Sequence, residues 1–218
     1  MAAPPLLLGH RGARATKTVP ENTLPSFDLA LKHGCDGFEF DVRLTSDGRA
    51  LICHDSTVNK LRVSLATRSQ LPQCPLLEDV LRHYAHRAFL DIELKVSDLE
   101  TSVLAALREC RPQRDYVASS FFSDVVMELK ARSGTIPVGI ICDKQTQLAR
   151  WRQLPVEYVI VEQELVARKL VDEVHSAGRR IFAWTVNHAD AMLRLAGWGV
   201  DGIISDDTEL MMRTLAGK

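Results

Sequence analysis

No apolar stretch in this sequence approaches the roughly 20 residues needed to cross a bilayer. The N-terminal Met-Ala-Ala-Pro-Pro-Leu-Leu-Leu carries no basic segment, and its apolar run is too short for a secretory signal. The expectation is a cytoplasmic protein without stable membrane association. Aromatic residues are scarce at 6%, net charge is only −1, and Lys and Arg are scattered rather than interleaved with aromatics. A nucleic-acid groove is therefore not expected. The five cysteines (Cys35, Cys53, Cys74, Cys110 and Cys142) form no Cys-x-x-Cys pair and are odd in number, so they read as small buried hydrophobes in a reducing compartment. There is no internal repeat and no linker rich in Pro, Gly or Ser. Residues 1–218 are read as one domain, with 46% hydrophobic residues available for a core.

Short apolar runs alternate with longer amphipathic ones. Strands are expected at 6–9, 37–43, 89–95, 116–120, 137–142, 158–161, 181–185 and 202–205. Helices are expected at 24–33, 99–110, 125–133, 164–177 and 189–196, most of them with a polar start and a glycine stop, and another is expected to start near Thr208. Strands followed by helices point to a (β/α)8 barrel, with a doubly wound open sheet as the alternative. Closure is preferred because the polar strands lie near both ends of the chain. One interruption stands out. Asp47-Gly48 lies between β-like runs and predicts a short β-hairpin insertion after strand 2. As a two-residue loop it would set Ser46 opposite Arg49 and Asp41 opposite His54.

Charge occurs where an apolar core is expected. In a strand, residues two apart share a face. Glu39 and Asp41 therefore point one way while Phe38 and Phe40 point the other, and Glu93 with Lys95 repeats the pattern against Ile92 and Leu94. A carboxylate buried without a partner costs several kcal/mol. Three such groups and no thiolate point to a hard divalent cation, Mg²⁺ or Ca²⁺. The alternative is an internal salt-bridge network with Arg43 and Lys95. His10 and His54 both follow strand-like residues and form a candidate acid/base pair. Arg11 and Lys95 are candidate anion contacts, with Gly9 and Gly12 allowing close backbone approach. Glu21 and Asn22 belong either to a helix cap or to the site. Trp184 fills the core or walls a pocket, and Ser120 and Phe121 carry the same ambiguity. Asp206 reads as a cap for the last helix, and Asp55 as a residue that orients its neighbours.

Taken in order, His-Arg-Gly, Pro-Glu-Asn-Thr, Glu-Phe-Asp-Val, Thr-Ser-Asp-Gly, His-Asp, Glu-Leu-Lys and Gly-Val-Asp-Gly-Ile-Ile-Ser-Asp resemble the glycerophosphodiester phosphodiesterase family over residues 8–208. The resemblance implies a TIM barrel and metal-dependent hydrolysis of a small-molecule glycerophosphodiester to an alcohol and glycerol 3-phosphate. By motif, Glu39, Asp41 and Glu93 correspond to metal ligands, and His10 and His54 to the catalytic pair. Arg11 and Lys95 correspond to phosphate contacts. Glu21, Asn22 and Trp184 match positions near the substrate. The expected hairpin register would make His54 the base and His10 the acid. Two departures stand out: the segment between His54 and Pro75 is short, implying a small lid, and Thr208 stands where a proline is common. The competing readings are a phosphodiesterase or phospholipase that releases a cyclic phosphate, and a barrel that binds a phosphodiester without turnover.

Overall fold

Alternation of apolar and polar residues builds eight parallel strands in the computed structural model, which describes residues 3–216. They are β1 (Leu6–His10), β2 (Gly37–Leu44), β3 (Phe89–Leu94), β4 (Tyr116–Ser120), β5 (Val138–Cys142), β6 (Tyr158–Glu162), β7 (Arg180–Trp184) and β8 (Gly202–Ser205). Each pairs with the next, and β1 pairs with both β2 and β8. The sheet is therefore a closed barrel, as expected. In register, His10 lies beside Glu39, Glu39 beside Asp91, and Asp41 beside Glu93.

The two faces of these strands have separate tasks. Inward residues Leu8, Phe89, Val117, Ile141, Tyr158, Ile160, Phe182 and Ile204 pack as an apolar plug. Polar inward residues gather at the C-terminal strand ends, where a (β/α)8 barrel carries its site. Outward residues meet the helices. Phe38 of β2 stacks on Phe27 of α1 (Leu24–His33) at 4.2 Å between centroids, and Tyr84 of α2 (Leu77–Tyr84) meets its edge at 5.0 Å.

The remaining helices are α3 (Glu100–Cys110), α4 (Ser123–Arg132), the short α5 (Gln145–Leu148), α6 (Arg168–Ser176), α7 (Ala189–Trp198) and α8 (Thr208–Leu215). Thr23 caps α1 by accepting a hydrogen bond from the Ser26 amide, and Gly34 ends it in the left-handed region. Several helix expectations need correction: α5 falls outside the expected helices, and α4 starts at Ser123, two residues earlier than expected. α2 was not anticipated. α6 starts four residues later than expected, because a 3-10 turn at Gln163–Leu165 precedes it and Val166 and Ala167 are extended. α7 runs past Gly197 to Trp198, with Gly199 supplying the left-handed stop.

The hairpin register is shifted by one residue from expectation. A return strand, Ala50–Ile52, pairs antiparallel with the end of β2, matching Val42 with Ile52 and Leu44 with Ala50. The Thr45 amide donates to the Arg49 carbonyl, so Ser46, Asp47 and Gly48 form a three-residue loop with Gly48 at φ 75°. The Asp47 carboxylate fixes this loop by accepting from the Thr45 hydroxyl at 2.7 Å and the Arg68 amide at 3.0 Å. Cys53, not His54, therefore lies opposite Asp41, and its amide donates to the Asp41 carbonyl. The register argument for His54 as the base falls with it.

Candidate active site

Glu39, Asp41 and Glu93 project from neighbouring strands so that one carboxylate oxygen of each lies within 4.8 Å of the others. All three are buried. Glu39 Oε2 accepts from the Arg11 amide at 3.0 Å, while Oε1 is buried without a partner. Asp41 is clamped by Asn22, whose Nδ2 donates to Oδ2 at 2.8 Å and whose Oδ1 accepts from the Asp41 amide at 3.3 Å. Lys95 Nζ bridges Glu93 Oε1 at 2.6 Å and Asp41 Oδ1 at 3.3 Å, and Arg11 Nε lies 3.1 Å from Asp41 Oδ2.

Burial raises the Glu39 carboxyl well above its ordinary range, and repulsion from Asp41, Glu93 and Asp91 adds to the effect. Burial, with repulsion from Asp41, pushes Glu93 up to about 7 despite Lys95. Burial also acts on Asp41, but Lys95 and Arg11 outweigh it and hold that group below its usual value. This is a pocket with more negative charge than its cations neutralise. Three hard oxygen donors, one of them an orphaned buried oxygen, fit Mg²⁺ or Ca²⁺.

His10 ends β1 and points inward beside this cluster, with Nε2 3.7 Å from Glu39 Oε2. Its Nδ1 lies 2.7 Å from Asp206 Oδ1. An ionised carboxylate only accepts, so Nδ1 carries the proton and Nε2 is left with its lone pair. Burial lowers the His10 pKa even though Asp206 opposes the shift. Asp206 was expected to cap α8. Instead it accepts from Asn187 Nδ2 at 2.7 Å and Arg14 Nη1 at 3.1 Å as well as from His10, while Asp207 caps the helix. These hydrogen bonds outweigh burial and hold Asp206 well below the carboxylate range.

His54 follows the return strand and is more exposed. Its Nδ1 lies 2.8 Å from Asp55 Oδ1, so Asp55 orients it, as expected. Arg43 Nε donates to the His54 carbonyl at 2.7 Å. His54 lines a cleft with Glu21, Asn22 and Asp55. His10, Glu39, Glu93, Phe121 and Trp184 line a separate small cavity in the barrel mouth. Trp184 thus walls the pocket, edge-on to Phe121 at 5.5 Å, with its Nε1 unpartnered. Ser120 instead donates to the Leu94 carbonyl. Glu21 pairs with Arg11 at 2.8 Å and with Arg14 at 2.5 Å.

Sequence reasoning passed over four contributors. Asp91 shares the inward face of β3 with Glu93, and the two-residue period would have found it. Its Oδ1 accepts from Ser119 at 2.5 Å, and burial pushes its pKa up to about 7. Arg14, Asn187 and the inward role of Asp206 depend on contacts between distant parts of the chain, and no local pattern marks them.

A profile of the glycerophosphoryl diester phosphodiesterase family matches residues 10–210. A glycerophosphodiester phosphodiesterase from Caldanaerobacter subterraneus subsp. tengcongensis is 26% identical, with 95% of this chain and 96% of the relative covered. A Thermotoga maritima glycerophosphodiester phosphodiesterase structure superposes with a TM-score of 0.84 at 25% identity, covering 98% and 99% of the two chains. An Oleispira antarctica phosphodiesterase, solved in complex with sn-glycerol-3-phosphate as product, gives a TM-score of 0.85 at 24% identity, with 98% of each chain covered.

Proposed function

The chain belongs to the glycerophosphoryl diester phosphodiesterase family, and we propose that it hydrolyses small glycerophosphodiesters to an alcohol and glycerol 3-phosphate, using a divalent cation and two histidines. The observation that carries this reading is the convergence of Glu39, Asp41 and Glu93 with His10 beside them, together with His54 on a cleft shared with Asn22, the partner of Asp41. The product bound to the Oleispira antarctica relative agrees with it.

Glu39, Asp41 and Glu93 would hold the cation, which supplies positive charge to a phosphate oxygen and lowers the pKa of a substrate hydroxyl. His10 and His54 divide the proton transfers. Each has Nδ1 tied to a carboxylate, leaving Nε2 to take a proton from the attacking hydroxyl or give one to the leaving alcohol. Arg11 and Lys95 place fixed positive charge at the mouth for the phosphoryl group. Glu21 orients Arg11, and Asn22 orients Asp41. The unpartnered Trp184 N–H offers the substrate a donor on the pocket wall.

The test is release of glycerol 3-phosphate from glycerophosphocholine and glycerophosphoethanolamine with Mg²⁺, with Ca²⁺ and with EDTA. Metal-dependent release is expected, and His54→Ala should lose it. No release under any metal from folded protein would overturn the reading. A cyclic phosphate as the end product, seen by phosphorus NMR, would replace hydrolysis with a cyclising reaction.

A further inference from the structure

Beside His54, the chain brings together two cysteines that the proposed chemistry does not use. The Ile52 amide donates to the Pro75 carbonyl at 2.9 Å, and Leu51 bridges Leu76 in antiparallel sense. Continuing that register sets Cys53 directly opposite Cys74. The side chains agree: Leu51, Cys53 and Cys74 share one small apolar cluster, while the Cys53 thiol donates to the Asp55 carbonyl at 3.8 Å. Opposed residues in such a pair sit about 4.5–5.5 Å apart between Cα atoms. That lies within the roughly 4.4–6.8 Å that a disulfide spans. Both cysteines are buried but line the cleft that also holds His54, Glu21 and Asn22.

We propose that Cys53 and Cys74 are an oxidative modification site, closing to a reversible disulfide when a peroxide reaches the cleft. In the first step the Cys74 thiolate attacks the peroxide. A sulfur–oxygen bond forms, the oxygen–oxygen bond breaks, and hydroxide leaves to be protonated to water. The Cys53 sulfur then attacks the Cys74 sulfenic acid, forming the sulfur–sulfur bond and expelling a second water. The two thiols lose two electrons and the peroxide gains them. Cys74 suits the attacking role because the neighbouring Cys53, with the Arg68 charge adding to it, brings its pKa down to about 7 against the opposing effect of burial. Cys53 immediately precedes His54, so the bond would tie the carrier of that imidazole to the opposite wall of the cleft.

The test reads covalent state rather than turnover, so it is independent of the proposed reaction. Folded protein is exposed to hydrogen peroxide, denatured with excess N-ethylmaleimide, digested with trypsin without reductant, and mapped by mass spectrometry. The expected product is one link between peptides 50–60 and 69–82, removed by dithiothreitol and absent from Cys74→Ser. Full alkylation of both cysteines after exposure would overturn the proposal. So would irreversible oxidation of Cys74 without a link, or links only to Cys35, Cys110 or Cys142. Mapping the wild-type chain decides the matter even if the serine variant does not fold.

Discussion

Asp206 turns inward to hold His10, whereas its neighbour Asp207 accepts the Leu210 amide at 2.9 Å and caps α8. The two carboxylates are therefore separable by mutation. Asp206→Asn should lower kcat more than about tenfold, because an amide can leave the imidazole in the wrong tautomer, and should also lower stability in urea, since the lost charge no longer answers Arg14 and Asn187. Asp207→Ala should lose about 1 kcal/mol of stability with kcat preserved. His10→Ala and His54→Ala should each lose at least ~100-fold in kcat. Near-wild-type turnover in either would remove that histidine from the mechanism. Glu39→Gln should raise the metal concentration needed for activity. The buried carboxylates also set a pH dependence. Glu93 and Asp91 titrate at about 7 when folded, against 4.5 and 3.8 as ordinary values, and Glu39 is raised too. Between those limits the folded protein binds more protons than the unfolded chain, so these groups make stability fall as pH rises from about 4 to 7. His10 opposes them, since its lowered pKa makes stability rise with pH up to about 6.5. With several carboxyls against one imidazole, Tm in EDTA should fall from pH 5 to pH 7.5, and Mg²⁺ or Ca²⁺ should restore it more at pH 7.5 than at pH 5. A metal-induced rise in Tm independent of pH would show that the raised carboxyls are not the binding groups.

At the scale of elements, the strands were legible because their period is two and each repeats it against a helix. Glu39, Asp41, Glu93 and His10 were legible for the same reason, since a charge on the inward face of a buried strand violates an otherwise regular pattern. The hairpin was visible but its register was not. Asp-Gly suits both two- and three-residue loops, and the choice was made by Asp47 reaching the Arg68 amide, 21 residues away. The facing thiols of Cys53 and Cys74 escaped notice for a related reason, because the chain between them is irregular and spacing gives no sign of their register. α2 was overlooked although Leu77, Val80, Leu81 and Tyr84 form a buried helical stripe. Its start at Leu76 has no capping side chain to announce it.

The whole molecule depends on how tightly the barrel closes around its plug. A Cβ on Gly37 would lie 1.9 Å from the Phe89 carbonyl oxygen, and one on Gly202 would lie 2.5 Å from the Phe182 ring. Gly37→Ala should cost about 3 kcal/mol and exceed Gly202→Ala, because backbone yields less readily than a ring. Urea unfolding of the two variants checks the order, and equal costs would show that the β2–β3 backbone can give way. Closure has a temporal side as well. His10 receives its carboxylate partner from a residue 196 positions later. At about 5–20 residues per second, synthesis reaches Asp206 roughly 10–40 s after His10. A ribosome-bound chain can display its acidic strands long before Asp206 exists to orient that imidazole, so His10 gains its carboxylate partner only after β8 has been made.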